Sequence, residues 1–155
     1  MIATEDRNGL FNGLPARGST AYVELLVFLN ANRSAVLAAL PWVAAEIAGN
    51  EGFEVMLDFV CRLGGRRLYI SARLQEFSRA TDSAFGLATH RNLLRGAGVS
   101  SLLEAPSAWG VFLVFRRVAL ARALAEGVSK KAAARLFGVT ERSLRGPQRT
   151  ESAHD

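Results

Sequence analysis

Residues 129–144, SKKAAARLFGVTERSL, space their small, apolar and polar side chains as a pair of short helices requires. Ser129 can cap the first helix, because its hydroxyl can accept a hydrogen bond from a free amide of the first turn. Ala133, Ala134 and Phe137 recur on one face of that helix, which predicts that this face packs inward. Ala134 is also small at the point where a second helix must cross closely.

The second half of this stretch supplies a turn and the start of a second helix. Gly138 stands where the turn needs a positive φ, and Val139 fills the corner. Thr140 can cap the second helix, Glu141 lies in its first turn, and Leu144 returns to the core. The pattern is that of a helix-turn-helix, which offers its second helix to the major groove of DNA. The alternative is an ordinary corner between two helices, which also favours a glycine and a capping residue.

The net charge of +5 is concentrated in the C-terminal part of the chain. Residues 1–110 carry ten basic and ten acidic side chains, whereas residues 111–155 carry nine basic and four acidic ones. The excess therefore lies on and around the candidate helix-turn-helix, where a basic surface can neutralise DNA phosphates. We expect double-stranded DNA as the partner.

Two sets of DNA contacts are expected in this region. Base-reading side chains are expected at Thr140, Glu141, Arg142 and Arg145. Phosphate contacts are expected at Arg116, Arg117, Lys130, Lys131, Arg135 and Arg149. Lys130 and Lys131 fall in the first turn of their helix, where positive charge opposes the helix dipole, so helix stability does not explain them. The alternative for the phosphate set is a solvated helix face.

Apolar periodicity predicts a mostly α chain: a helical N-terminal dimerisation region with one short β-strand, followed by a C-terminal helix-turn-helix. Helices are expected over residues 20–30, 34–49 with a kink or restart at Pro41, 51–63, 72–79, 83–94, 100–103 and 107–126. We divide the chain into a flexible leader (1–19), the dimerisation region ending in a strand (20–71), a helical connector (72–106), the helix-turn-helix region (107–146) and a flexible tail (147–155).

The segment from Arg66 to Ile70, RRLYI, is the one convincing strand in the sequence. Leu68 and Ile70 alternate with Arg67 and Tyr69, so the first pair is expected to face the helical core and the second pair to point outward. A lone strand would leave its backbone N–H and C=O groups unpaired. We therefore expect a second copy of the strand from another subunit, and hence a homodimer.

The segment FVCRLGGRRLYI (residues 59–70), followed later by the candidate helix-turn-helix, resembles the Mor/C family of transcription activators of phage Mu and related prophages. The glycine pair of that family corresponds to Gly64 and Gly65, and its Tyr-Ile pair to Tyr69 and Ile70. The resemblance implies an intertwined dimer, sequence-specific binding beside a promoter, and RNA polymerase as a candidate further partner.

Catalytic and metal chemistry have little support in the sequence. His90, expected at or near the surface, is the only histidine outside the tail, and no His/Cys cluster has metal-ligand spacing. Cys61 is the only cysteine, so we expect a core residue, no intrachain disulfide and a cytoplasmic protein. No apolar run approaches the roughly 20 residues that a bilayer span needs. We expect neither an enzyme, a cofactor, a metal site nor membrane association.

The sequence therefore favours a sequence-specific DNA-binding transcriptional regulator of phage or prophage type that acts as a dimer. One alternative is a non-enzymatic helical protein-interaction module, supported by Gly146–Pro147, because that pair makes continuation of the second helix costly. Another is a DNA-recognition subunit for phage DNA packaging, which also combines oligomerisation with such a motif.

Overall fold

The computed structural model describes residues 13–144, which form eight α-helices and one two-stranded antiparallel sheet. The helices are α1 (Thr20–Ala31), α2 (Arg33–Ala39), α3 (Trp42–Glu51), α4 (Phe53–Leu63), α5 (Leu74–Thr81), α6 (Leu87–Ala97), α7 (Ala108–Ala125) and α8 (Lys130–Phe137). The strands are β1 (Arg67–Tyr69) and β2 (Leu102–Glu104), and single 3₁₀ turns cover Gly98–Ser100 and Glu141–Leu144. The mostly α fold class is confirmed.

Several helices begin at a serine that accepts a hydrogen bond from a first-turn amide, or at a proline, which has no amide N–H. The hydroxyl of Ser19 accepts a hydrogen bond from the Tyr22 amide at 3.1 Å, and α1 starts there. The hydroxyl of Ser107 accepts one from the Gly110 amide at 3.0 Å and starts α7 in the same way. Pro41 is the capping residue of α3, so it opens a new helix rather than kinking the preceding one.

The prediction of a lone strand is wrong, because β1 pairs with β2 of the same chain. The antiparallel register runs from Arg67 opposite Glu104 to Tyr69 opposite Leu102. The expected partner strand from another subunit is therefore not needed to satisfy β1, and a dimer cannot be inferred from an unpaired strand.

The second strand takes the place of the second half of the short helix that was expected over residues 100–103. Leu103 is buried while Leu102 and Glu104 are exposed, which is the alternation of a strand with one face on the core. Only three residues carry this alternation, and two of them are leucines that suit a helix equally well. The same alternation holds on β1 as predicted, since Tyr69 is exposed and Ile70 after it is buried.

Backbone hydrogen bonds continue the ribbon beyond both strands. Gly65 donates its amide to the Ala105 carbonyl at 2.9 Å, and Ala105 donates to the Arg66 carbonyl at 2.9 Å. At the other end, Ile70 donates to the Ser101 carbonyl at 2.8 Å. The whole expected strand from Arg66 to Ile70 is thus tied to one neighbouring segment.

A main hydrophobic core draws on the first seven helices and on the inward face of the ribbon. Its largest fully buried side chains include Phe59, Phe77, Phe115, Leu29, Ile47, Met56, Ile70, Leu93 and Leu103. Phe85 joins Phe59 and Phe77, with ring centroids 5.8 Å and 5.7 Å away, so aromatic contacts hold α5 against α4.

Two residues differ in burial from what the sequence predicted. His90 is buried rather than near the surface, because its Nε2 makes a 2.7 Å hydrogen bond with the Ser71 carbonyl and its ring packs beside Phe77. Cys61 was expected in the core, but it is an exposed residue of α4.

Gly64 lies where α4 gives way to the ribbon, and we predict that alanine there destabilises the protein. An added Cβ would meet the carbonyl oxygens of Val60 and Pro106, the latter at 2.9 Å, and backbone atoms cannot yield cheaply. We expect Gly64→Ala to cost about 1–3 kcal/mol in the free energy of unfolding, measured by urea denaturation. Gly49→Ala is the control, since a Cβ on this α3 residue meets open space, and it should stabilise by about 0.5–1 kcal/mol. Equal effects of the two changes would contradict the close approach at Gly64.

Candidate nucleic-acid interface

A second and smaller hydrophobic cluster, the satellite cluster, joins the end of α7 to α8 and to the 3₁₀ turn that follows. Its buried members are Ala119, Ala133 and Phe137. Partly buried side chains packed on it are Phe28, Leu120, Ala123, Leu124, Val128, Leu136, Val139 and Leu144. Residues 116–144 therefore form a compact C-terminal unit with its own apolar centre.

The first helix of this unit, α8, forms as the sequence predicts. The hydroxyl of Ser129 accepts a hydrogen bond from the Ala132 amide at 3.1 Å and caps the helix. Ala133, Ala134 and Phe137 are its three buried residues, so its inward face is the predicted one.

The predicted turn is present at Gly138. This residue has φ 63° and ψ 31°, a left-handed conformation that costs glycine little and a residue with a Cβ more. The amide of Val139 then donates to the Ala134 carbonyl at 3.0 Å, and the Val139 side chain packs on the satellite cluster. The backbone thus reverses tightly while Val139 fills the corner.

The start of the second helix is described for a single turn. The hydroxyl of Thr140 accepts a hydrogen bond from the Ser143 amide at 3.3 Å, which is a capping contact, and Leu144 packs on the satellite cluster as expected. Glu141–Leu144 is a 3₁₀ turn rather than the start of an α-helix within the described chain. Arg145, Arg149 and the pair Gly146–Pro147 lie outside the described residues.

Of the base-reading set, Thr140, Glu141 and Arg142 are all exposed at this turn. Of the phosphate set, Lys130, Lys131 and Arg135 are exposed on α8. Within residues 13–144, no ion pair involves Arg142 or any of the three α8 cations. The ion pairs of the described chain are Arg17–Asp58, Arg62–Asp58, Arg67–Glu104, Arg73–Glu76 and Arg122–Glu126. Four positive charges of the C-terminal unit therefore face solvent without an acidic neighbour in contact.

The spacing of these charges works against the stability of α8. Lys131 and Arg135 are four residues apart and so lie on the same face of the helix, where like charges repel by about 0.2–0.5 kcal/mol. Lys130 and Lys131 also stand in the first turn, against the helix dipole. Solubility alone does not require like charges at these neighbouring positions of one helix.

Arg116 and Arg117 lie on α7 at the near edge of the same unit. Arg116 is three and seven residues before Ala119 and Ala123, so it continues the row on which the satellite cluster is built. Its guanidinium carbon lies 5.9 Å from the centroid of the Phe112 ring, and the side chain is half-buried. Arg117 is exposed. Arg116 therefore has an aromatic neighbour within cation–π range, at the outer limit of such contacts.

Two side-chain contacts made by arginines of α7 were not predicted from the sequence. Arg122 counts toward the basic excess, yet its Nε lies 2.8 Å from Glu126 Oε1, so the pair is locally neutral. Phe112 was not identified as a partner of Arg116. Both contacts join residues four positions apart, and that spacing was the available signal.

Other classes of site leave little trace in the described chain. Residues 13–144 contain no group of three or more His, Cys, Asp or Glu side chains placed to hold a metal ion. Among these residues, no helix combines the length and apolar character that crossing a membrane requires. Comparison with family models, with curated proteins and with solved structures finds no match to this chain.

We predict that Gly138→Ala destabilises the C-terminal unit through its backbone conformation alone. A Cβ at this position would meet open space, so the cost of about 1 kcal/mol comes from the left-handed φ. Hydrogen exchange of the α8 amides should accelerate, while exchange in α4 should not change. Gly138→Asn is the matched control, because asparagine tolerates this conformation better and should lose less stability. An alanine variant with unchanged α8 exchange would show that the turn is not held in this geometry.

Proposed function

We propose that the chain binds double-stranded DNA through its C-terminal unit and acts as a transcriptional regulator of phage or prophage type. The observation that carries the proposal is the set of exposed, unpaired cations at Lys130, Lys131, Arg135 and Arg142, gathered on one compact helix-turn unit. Phosphate neutralisation supplies most non-specific DNA affinity, and such a set is suited to it. Membership of the Mor/C family is part of this proposal.

In the proposed complex, α8 lies across the phosphate backbone and the turn after Thr140 enters the major groove. Lys131 and Arg135 share the outer face of α8, opposite the face that packs on the satellite cluster, so both point away from the protein. Arg142 lies in the turn that Thr140 caps, and within the described residues it is the exposed arginine of the expected base-reading set. Arginine suits that role because its fork can pair with two acceptors of guanine.

A second candidate function is a protein-interaction module with no DNA partner. The specific observation in its favour is that Glu141–Leu144, the last four described residues, form a 3₁₀ turn, whereas a recognition element is ordinarily an α-helix. The two candidates differ in their response to salt. Binding to random duplex DNA that weakens steeply with salt supports the first, and its absence at low salt supports the second.

We predict that the α8 cations set the salt dependence of DNA binding. The double variant Lys131→Ala, Arg135→Ala should bind all duplex sequences more weakly and lower the slope of log affinity against log salt by about 2. Fluorescence anisotropy with a random 20-base-pair duplex at several salt concentrations measures both. The charge-matched control is the double variant Arg91→Ala, Arg95→Ala, which removes two exposed cations of α6 outside the C-terminal unit and should leave the slope unchanged. An unchanged slope in the double variant would remove these residues from the interface.

Arg142 is predicted to act on specificity rather than on overall affinity. After selection of a preferred sequence from a random duplex library, Arg142→Ala should lose about 1–3 kcal/mol on that sequence and much less on random DNA. The ratio of the two affinities is the measured quantity. Arg142→Lys keeps the charge but not the fork, so it should retain random binding and still lose discrimination. A ratio equal to that of the wild type in Arg142→Ala would exclude base reading by this side chain.

We also propose that the chain acts as a homodimer, and that the outward face of the ribbon is the contact surface. Tyr69 and Leu102 are paired across the two strands and are 66% and 43% exposed, so they form a small contiguous apolar patch. Arg67 and Glu104 lie beside each other on the same face. A two-fold axis parallel to the strands would place Arg67 over Glu104 of the second copy and Tyr69 over Leu102, so the face complements itself.

Sedimentation equilibrium at micromolar concentration tests this surface, and we predict a mass of two chains for the wild type. Tyr69→Glu should give a folded single chain, because it places a charge in the apolar contact without touching the core. Val99→Glu is the control, since Val99 is exposed outside the two strands and should leave the dimer intact. A wild type that stays a single chain, or a Tyr69→Glu dimer, would reject the surface.

A further inference from the structure

A cavity of about 280 Å³ lies at the opposite end of α1 from the satellite cluster. It opens between the segment before α1, α1 itself and α4, and its walls include Leu14, Leu25 and Leu57. Tyr22 and Cys61 also line it, so a hydroxyl-bearing ring and a thiol border a mostly apolar space. Its size falls near the lower end of the range for small-molecule sites in proteins.

Tyr22 is the informative residue of this cavity. Its side chain is only 8% exposed, yet its hydroxyl makes no hydrogen bond within residues 13–144. Buried tyrosine hydroxyls usually have a partner, because an unpaired one forfeits its bonds to water. In the described chain, no fully enclosed side-chain nitrogen or oxygen lacks a partner, so the Tyr22 oxygen keeps open surface. Tyr22 lines the cavity, so its unpaired hydroxyl is available to a molecule bound there.

The charged side chains at the cavity form ion pairs with one another. Asp58 accepts two hydrogen bonds from Arg62, at 3.0 Å from Nε and 2.8 Å from Nη2, and lies 3.8 Å from Arg17. Burial raises the pKa of Tyr22 and of Cys61 above their ordinary values, so both are neutral at pH 7 and the Tyr22 hydroxyl is a donor. The two charged side chains that line the cavity, Arg17 and Asp58, are thus paired with each other.

We propose that this cavity is a binding site for a small, uncharged and mostly apolar molecule with one oxygen that accepts a hydrogen bond from Tyr22. A cavity of 150 Å³ can hold benzene, so this one has room for an aromatic ring with a short polar substituent. The Leu25 and Leu57 walls supply apolar contact, and the hydroxyl supplies the single oriented polar contact that such sites use for specificity.

The position of the cavity gives its ligand a route to the C-terminal unit. Tyr22 and Leu25 line it from α1, and Phe28, one turn further along α1, packs against both the main core and the satellite cluster. A ligand that shifts α1 therefore acts on the packing of α8. This regulatory consequence rests on the proposed DNA-binding function, whereas the binding site itself does not.

Two probes of nearly equal shape test the site in the full chain: acetophenone, which carries a carbonyl oxygen, and ethylbenzene, which does not. Amide chemical shifts in a heteronuclear NMR titration report where and how tightly each binds. Both should move amides near residues 14–17 and on α1 and α4. Tyr22→Phe should weaken acetophenone about fivefold to tenfold and leave ethylbenzene unchanged, because only the first probe loses a hydrogen bond. Cys61→Leu, which fills the space, should weaken both.

Three outcomes would overturn the proposal. The first is that neither probe moves these amides at millimolar concentration, and the second is that Tyr22→Phe weakens both probes equally. In the third, the wild type rejects both probes while the variant Leu10→Ser, Phe11→Ser accepts them, which would assign the cavity to the chain's own N-terminal residues. Because the readout is probe binding, a failure of DNA binding in the separate salt titration leaves this test unaffected.

Discussion

The burial of one helix, α7, in two hydrophobic clusters is the constraint on which the rest of the structure depends. Val111 and Phe115 of its first half lie in the main core, and Ala119 of its second half lies in the satellite cluster. An α-helix of 18 residues is about 27 Å long and bends little without a proline, so it fixes one cluster relative to the other. Phe28 contacts both clusters from α1 and adds a second connection.

Local features of the fold could be predicted from the sequence, and non-local ones could not. The helix start at Ser107, the cap at Ser129 and the turn at Gly138 each depend on a residue and its near neighbours, and all three formed as expected. Strand β2 depends on a partner some 35 residues earlier in the chain, and three residues of its own carry no decisive pattern. Cys61 was misplaced because an apolar neighbourhood in sequence does not fix which side of α4 faces the core.

For the candidate nucleic-acid interface too, some features could be predicted from the sequence and others depend on the three-dimensional arrangement. The basic excess of the C-terminal region is a matter of counting, so the sequence sufficed to locate it. Which cations stay unpaired is a matter of geometry: Arg122 is neutralised by Glu126, whereas Lys131 and Arg135 on the next helix have no acidic neighbour in contact within residues 13–144. The sequence also predicts a second helix after Thr140 that Gly146–Pro147 keeps short, but the propensity of four residues cannot separate a 3₁₀ turn from an α-helix.

The pairing of β1 with β2 sets the order in which the chain acquires its structure. Arg67 meets Glu104 across 37 residues, and the intervening loop contains both α5 and α6. Helices form within about a microsecond, whereas this closure must wait until its two ends have met. During synthesis at about 5–20 residues per second, β1 leaves the ribosome roughly 2–7 s before β2 does. For that interval Leu68 and Ile70 have no ribbon to hold them on the core. The nascent chain is then most exposed to association with other chains, and a chaperone has most to shield.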